Sequence, residues 1–107
     1  FIAEAANMPC TEEAIKLFNK NLVVVAPSKA VNAGGVAVSA LEMRQNAGWD
    51  KWQLPQVDNK LREIMRQIHD SCLKYARKYG NEGDYTLGAN VAGFLRVATA
   101  ALAHGII

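Results

Sequence analysis

The chain has 107 residues, 50% of them apolar and 21% charged, a balance that suits one compact domain or a piece of a larger one. Lys and Arg outnumber Asp and Glu by 12 to 10, and the basic residues between Lys60 and Lys78 are interspersed with Glu63 and Asp70, so nothing calls for nucleic acid or an anionic membrane. Cys10 and Cys72 are far apart and have no CxxC or Cys/His spacing, which argues against a disulfide framework or a metal site, and no apolar run is expected to approach the ~18 residues of a membrane span; the expectation is a cytoplasmic protein with reduced thiols.

The chain opens without Met on Phe1-Ile2-Ala3-Glu4, an apolar start that predicts a strand already under way and a parent protein that continues upstream. After Pro9, Thr11 is a good helix N-cap, and Glu12 and Glu13 fall in the first turn, where the helix dipole favours negative charge. Ala14, Ile15, Leu17 and Phe18 supply one apolar face of this helix. The run Leu22-Val23-Val24-Val25-Ala26 predicts a second strand buried on both faces of a parallel sheet. Strand, helix and strand within so few residues make a βαβ crossover.

A loop is expected over residues 28–33, then a helix opened by Gly34-Gly35 and running to about Asn46. Ala47-Gly48-Trp49-Asp50 breaks it, and Trp49 and Trp52 are expected to fasten the break to neighbouring structure. The longest helix is predicted over residues 56–79, with Pro55 at its start. Its apolar residues Val57, Leu61, Ile64, Met65, Ile68, Cys72, Leu73 and Ala76 follow the 3.6-residue period. Lys74, Arg77 and Lys78 near its end suit the dipole, and Gly80 is expected to take the left-handed cap position. A polar, hinge-like stretch leads to a last helix over residues 88–104, so rich in Ala and Val that most of its surface must be covered. Two strands do not make a stable sheet alone, so much of this apolar surface is expected to be buried against further polypeptide.

The GxGxxG fingerprint of a dinucleotide site is absent. Gly34-Gly35 at a helix start is either a pair of exposed N–H groups for an anion or a tight turn. Asn7 and Asn32 each follow a predicted strand, at the sheet edge where ligands bind in open parallel sheets, although asparagines in loops are also ordinary turn formers. Ser39 lies in the first turns of the following helix. His69 and His104 have no acidic partner at useful spacing, and neither a nucleophile elbow nor a paired carboxylate is present, so no catalytic residue is assigned.

A resemblance narrows these alternatives. Ala3-Glu4-Ala5-Ala6-Asn7-Met8-Pro9 resembles the AEGANMP segment of hexameric glutamate dehydrogenases. The longer block from Pro27-Ser28-Lys29-Ala30-Val31-Asn32-Ala33-Gly34-Gly35 through Val38-Ser39 to Leu41-Glu42-Met43 is similar to PSKAVNAGGVxVSxLEMxQN of the microbial and lower-eukaryote enzymes. Gly88-Ala89-Asn90-Val91-Ala92-Gly93-Phe94 extends the likeness towards the end.

The resemblance implies an α/β fold: the C-terminal part of a Rossmann-like cofactor domain over residues 1–83, then long helices, of which residues 84–107 return to the substrate domain. It implies interconversion of L-glutamate with 2-oxoglutarate and ammonia using NADP or NAD, in a homo-oligomer of six subunits. By motif position, Asn7 and Asn32 would meet the ribose and nicotinamide side of the cofactor, and Val36 and Ser39 the substrate, with the Ser39 hydroxyl free to donate to a carboxylate. The family's catalytic lysines and aspartate have no counterpart here, so the chain alone is expected to be inactive. Ala5 replaces the family's glycine, which would be strained if that position needed a positive φ.

Two other readings compete. A related dehydrogenase for branched or aromatic amino acids would have no use for Ser39, and a helical binding module would use its apolar last helix to engage a partner.

Overall fold

The computed structural model describes residues 1–106 and is built mainly of helix. Its elements in chain order are β1 (Ile2–Ala3), α1 (Glu12–Lys20), β2 (Val25–Ala26), α2 (Ser28–Val31), α3 (Ala33–Ala47), α4 (Leu54–Tyr79) and α5 (Tyr85–Ala103). The two strands pair in parallel, Ile2 with Val25 and Ala3 with Ala26, and α1 crosses between them, so the expected βαβ unit is present. Ile2 N–H donates to Val24 O at 2.9 Å and Glu4 N–H to Ala26 O at 3.1 Å, extending the ladder at both ends.

Local chemistry explains most of the helix boundaries. Thr11 caps α1 as expected, its hydroxyl accepting from Ala14 N–H at 3.3 Å. Ala14, Ile15 and Phe18 are half-buried, whereas Leu17, assigned to the same face, is exposed. Gln53 N–H donates to the Gln56 side chain at 2.7 Å ahead of α4, and Asp84 caps α5 by accepting from Leu87 N–H at 3.0 Å. That cap starts α5 three residues earlier than expected.

The second strand is shorter than the Leu22–Ala26 run suggests. Leu22 has φ 58 and is 92% exposed, because it closes α1: its N–H bonds Asn19 O and the Val23 N–H bonds Phe18 O, the Schellman arrangement. A residue held in the left-handed region cannot belong to a strand. Trp49 does the same for α3, with φ 55 and 94% exposure, so among the described residues it fastens nothing, whereas Trp52 has Lys60 Nζ 5.1 Å from its ring centroid. Gly80, expected to be the left-handed cap of α4, has φ −168; Gly83, three residues on, has φ 89. Residues 28–31, expected to be loop, form α2. Ala5 is not among the residues of positive φ, so replacing the family glycine introduces no backbone strain.

The apolar stripe of α4 is buried or half-buried along its whole length and carries the principal packing of the chain, against α5. Cys72, Ala76 and Ala89 lie in this contact and are buried. The crossing is close because Gly88 lets the α5 backbone approach Cys72: a Cβ at Gly88 would lie 1.9 Å from the Cys72 carbonyl oxygen. On the other side of α4, Gly34 of α3 faces Met65 and Leu61.

The remaining face of α5 exposes Phe94, Val97 and Leu102, as its composition predicts. One expectation fails here: α5 is 19 residues long with a mean hydropathy of 1.3, enough by length and composition to cross a membrane. A helix covered on one side by α4, with a further apolar face to pack, has the same composition.

Candidate functional site

Because the strands are parallel, both carboxyl ends open on the same edge of the sheet, and the chain leaves them through the segments that carry Asn7 and Asn32. The structure brings these two residues together: Asn32 Nδ2 donates to Asn7 Oδ1 at 2.5 Å. Among the described residues neither amide makes another hydrogen bond, which leaves the Nδ2 group of Asn7 and, on Asn32, the Oδ1 acceptor and one N–H unused. Asn32 is half-buried, the single residue between α2 and α3, and Asn7 is exposed.

The pair stands in a groove of about 1000 Å³ between the strand ends, α3 and α5. One helical stripe of α3, Ala33, Val36, Ala37, Ala40, Leu41 and Arg44, forms its wall; Ser28 and Lys29 come from α2, Met8 from the segment after β1, and Arg96 from α5. Val36, 74% exposed, faces the groove. Ser39 does not line it. Its hydroxyl donates to Gly35 O at 3.1 Å, one turn back along α3, and it sits beside the Val36 stripe rather than on it.

Lys29, Arg44 and Arg96 bring three cations to a lining that holds no carboxylate, histidine or thiol among the described residues. The ion pairs of the described residues, Arg62 with Asp58 and Arg77 with Glu82, lie elsewhere. Lys29 reaches across to the Asn90 side chain of α5, tying the α2 corner to the last helix. The groove can therefore hold an anionic or amide-bearing ligand by hydrogen bonds and charge. No side chain in it is suited to general acid or base work near neutrality.

Sequence reasoning missed Met8, Ser28, Lys29, Arg44 and Arg96. Arg44 was within reach, since Val36, Ala40 and Arg44 recur at four-residue steps and share one helix face. Arg96 was not, because the fold alone brings it close to residues some sixty positions earlier. Below the groove, Glu4 is buried, and its carboxylate accepts from Ser28 N–H at 3.1 Å. Burial, with the nearby Glu4 carboxylate adding to it, pushes the Cys10 thiol above its ordinary value. Burial does the same to Cys72.

A parallel βαβ unit followed by long helices, with an amide pair and cations beyond its strand ends, defines a helix-rich α/β segment with a candidate ligand groove. Comparison with known proteins makes the class specific. Residues 1–105 match the model of the Glutamate/Leucine/Phenylalanine/Valine dehydrogenase family, and the chain belongs to that family.

The chain is 50% identical over 106 residues to an NADP-specific glutamate dehydrogenase of Escherichia coli. It is also 50% identical over 106 residues to an NAD-specific glutamate dehydrogenase of Bacteroides fragilis. Each alignment takes in 99% of this chain but 24% of the relative, so the chain spans about a quarter of the length of the curated relatives it matches. Among solved structures, a glutamate dehydrogenase superimposes with a TM-score of 0.90 at 46% identity, covering 96% of this chain and 23% of that one. Glutamate dehydrogenase 2 of Plasmodium falciparum superimposes with a TM-score of 0.89 at 45% identity, covering 95% and 22%.

Proposed function

We propose that this chain works as part of a glutamate dehydrogenase, an enzyme that interconverts L-glutamate with 2-oxoglutarate and ammonia at the expense of NADP or NAD. The observation that carries the reading is the Asn7–Asn32 pair at the strand ends. It offers free amide donors and a free acceptor, the complement of the carboxamide of a nicotinamide ring, in a chain half identical to dehydrogenases named for these cofactors. When bound, the cofactor supplies the hydride chemistry; this chain contributes its recognition and one wall of the cleft.

Val36 stands on the substrate side of the same wall, and Lys29, Arg44 and Arg96 make the groove attractive to a dicarboxylate. Ser39 serves the substrate's side-chain carboxylate if its hydroxyl turns from Gly35 O towards the stripe, a single χ1 change. In the same reading, residues 1–83 are the C-terminal part of a Rossmann-like cofactor domain, and residues 84–107 return to the substrate domain, against which the exposed face of α5 packs. A cytoplasmic homo-hexamer belongs to it too and rests on the family resemblance alone.

In the full-length enzyme, Asn32→Ala removes the partner of Asn7 and one cofactor acceptor. It raises the KM for the dinucleotide about tenfold while the KM for 2-oxoglutarate changes little. Unchanged dinucleotide kinetics would remove the amide pair from the cofactor site.

A further inference from the structure

Glu4 follows directly on β1 and is the buried charged residue of the described chain, 5% exposed. Its N–H donates to Ala26 O, the last residue of β2, and its Oε2 accepts from the N–H of Ser28, the first residue of α2. One residue thus grips both the end of the second strand and the start of the helix beyond it. The other oxygen, Oε1, is buried without a hydrogen-bond partner among the described residues, and apart from the neighbouring Cys10 thiol the carboxylate is held by the Ser28 contact.

Burying a carboxylate is expensive, and capping four residues of helix does not require one; a local Ser or Asp would serve. A carboxylate that comes from 24 residues away does something a local cap cannot, because it fixes two separate segments relative to each other. Those segments carry Asn7, three residues beyond Glu4, and Asn32, four residues beyond Ser28. The Glu4–Ser28 hydrogen bond is therefore the cross-connection that underlies the Asn7–Asn32 contact.

We propose that Glu4 is a positioning residue: its buried carboxylate holds the start of α2 against the end of β1, and so keeps Asn7 and Asn32 at the spacing that presents their free donor and acceptor to the cofactor. This inference rests on the cofactor reading of the amide pair. Glu4 itself lies below the groove and touches no ligand. Its loss acts by letting the two amides drift apart.

The test is a fluorescence titration of NADPH and NADH, with initial-rate kinetics and thermal melting, on the full-length enzyme and three variants. Glu4→Leu weakens dinucleotide binding about tenfold and raises the dinucleotide KM in proportion, with the 2-oxoglutarate KM shifted less than about twofold. Glu4→Gln keeps an acceptor for Ser28 N–H and recovers binding to within about threefold of the wild type. Thr11→Ala removes the cap of α1 and lowers the melting temperature, but leaves dinucleotide affinity unchanged, separating positioning from general destabilisation.

Equal dinucleotide binding by the wild type and Glu4→Leu overturns the inference, as does a parallel rise in both Michaelis constants that Gln does not recover. If Glu4→Leu fails to fold, Glu4→Asp takes its place as the disruptive variant, one methylene short of Ser28 N–H: dinucleotide binding weakened by more than about threefold, and more than in Glu4→Gln, supports the role, and binding equal to the wild type overturns it. A wild-type enzyme that binds neither dinucleotide overturns this inference together with the cofactor reading.

Discussion

Gly88 and Gly93 lie on the same helix, α5, and the structure assigns opposite signs to the same substitution at the two positions. In a helix interior, Gly→Ala ordinarily stabilises by roughly 0.5–1 kcal/mol, because alanine loses less backbone freedom on folding. Among the described residues a Cβ at Gly93 would meet nothing within 4 Å, so Gly93→Ala should show that gain. At Gly88 the new carbon would sit 1.9 Å from the Cys72 carbonyl oxygen, 2.7 Å from its carbon and 2.9 Å from its Cα.

All three are backbone atoms inside α4, which cannot rotate aside as a side chain would. Restoring an ordinary contact of about 3.4 Å means parting the helices locally by roughly 1.5 Å, enough to forfeit much of the dispersion energy of the Cys72, Ala76 and Ala89 contacts. Overpacking of this kind costs about 1–3 kcal/mol, and a backbone-to-backbone clash belongs at the upper end, so the two variants should differ by about 3–4 kcal/mol. The rate of thermal inactivation of the full-length enzyme reads this directly, Gly88→Ala inactivating much faster and Gly93→Ala no faster than the parent. If Gly88→Ala proves as stable as Gly93→Ala, the close α4–α5 crossing is wrong.

Three further outcomes follow from the same geometry. Leu22→Gly should stabilise by about 1 kcal/mol, measured as a higher melting temperature, since Leu22 is held at φ 58 and is 92% exposed, where its side chain buries almost nothing. In the parent enzyme, Ser39→Ala should raise the KM for glutamate with the dinucleotide KM unchanged; an unaltered glutamate KM would take Ser39 out of the substrate pocket. The raised thiol of Cys10 keeps it protonated further into the alkaline range than a free cysteine. Its alkylation rate should therefore be low at pH 8 and climb later with pH than that of a model thiol, as mass spectrometry after iodoacetamide treatment would record.

How much of this was legible in the sequence depended on whether the deciding interaction was local. The caps at Thr11, the stripe of α4 and the βαβ order are written in neighbouring residues, and each is found as expected. The stop at Leu22 was not legible, because a β-branched run reads as strand and the Schellman closure of α1 takes its left-handed residue from the front of that run. Trp49 closes α3 in the same way, at a position where glycine or asparagine is the usual signal. The helix at residues 28–31 has its first N–H satisfied by Glu4, far away in sequence, and so looked like loop. At the site, Asn7, Asn32 and Val36 came from motif resemblance and meet in one groove, while Arg96 arrives only through the packing of α5.

The most direct test of the account is the initial rate of NADPH and NADH oxidation by the full-length enzyme in the presence of ammonia, with 2-oxoglutarate compared against the keto acid of leucine. Ammonia-dependent turnover that favours 2-oxoglutarate by at least about a hundredfold is the predicted result, because an apolar side chain leaves the polar groups and cations of the cleft unpaired. Preference for the apolar keto acid, or no oxidation with either, would contradict it.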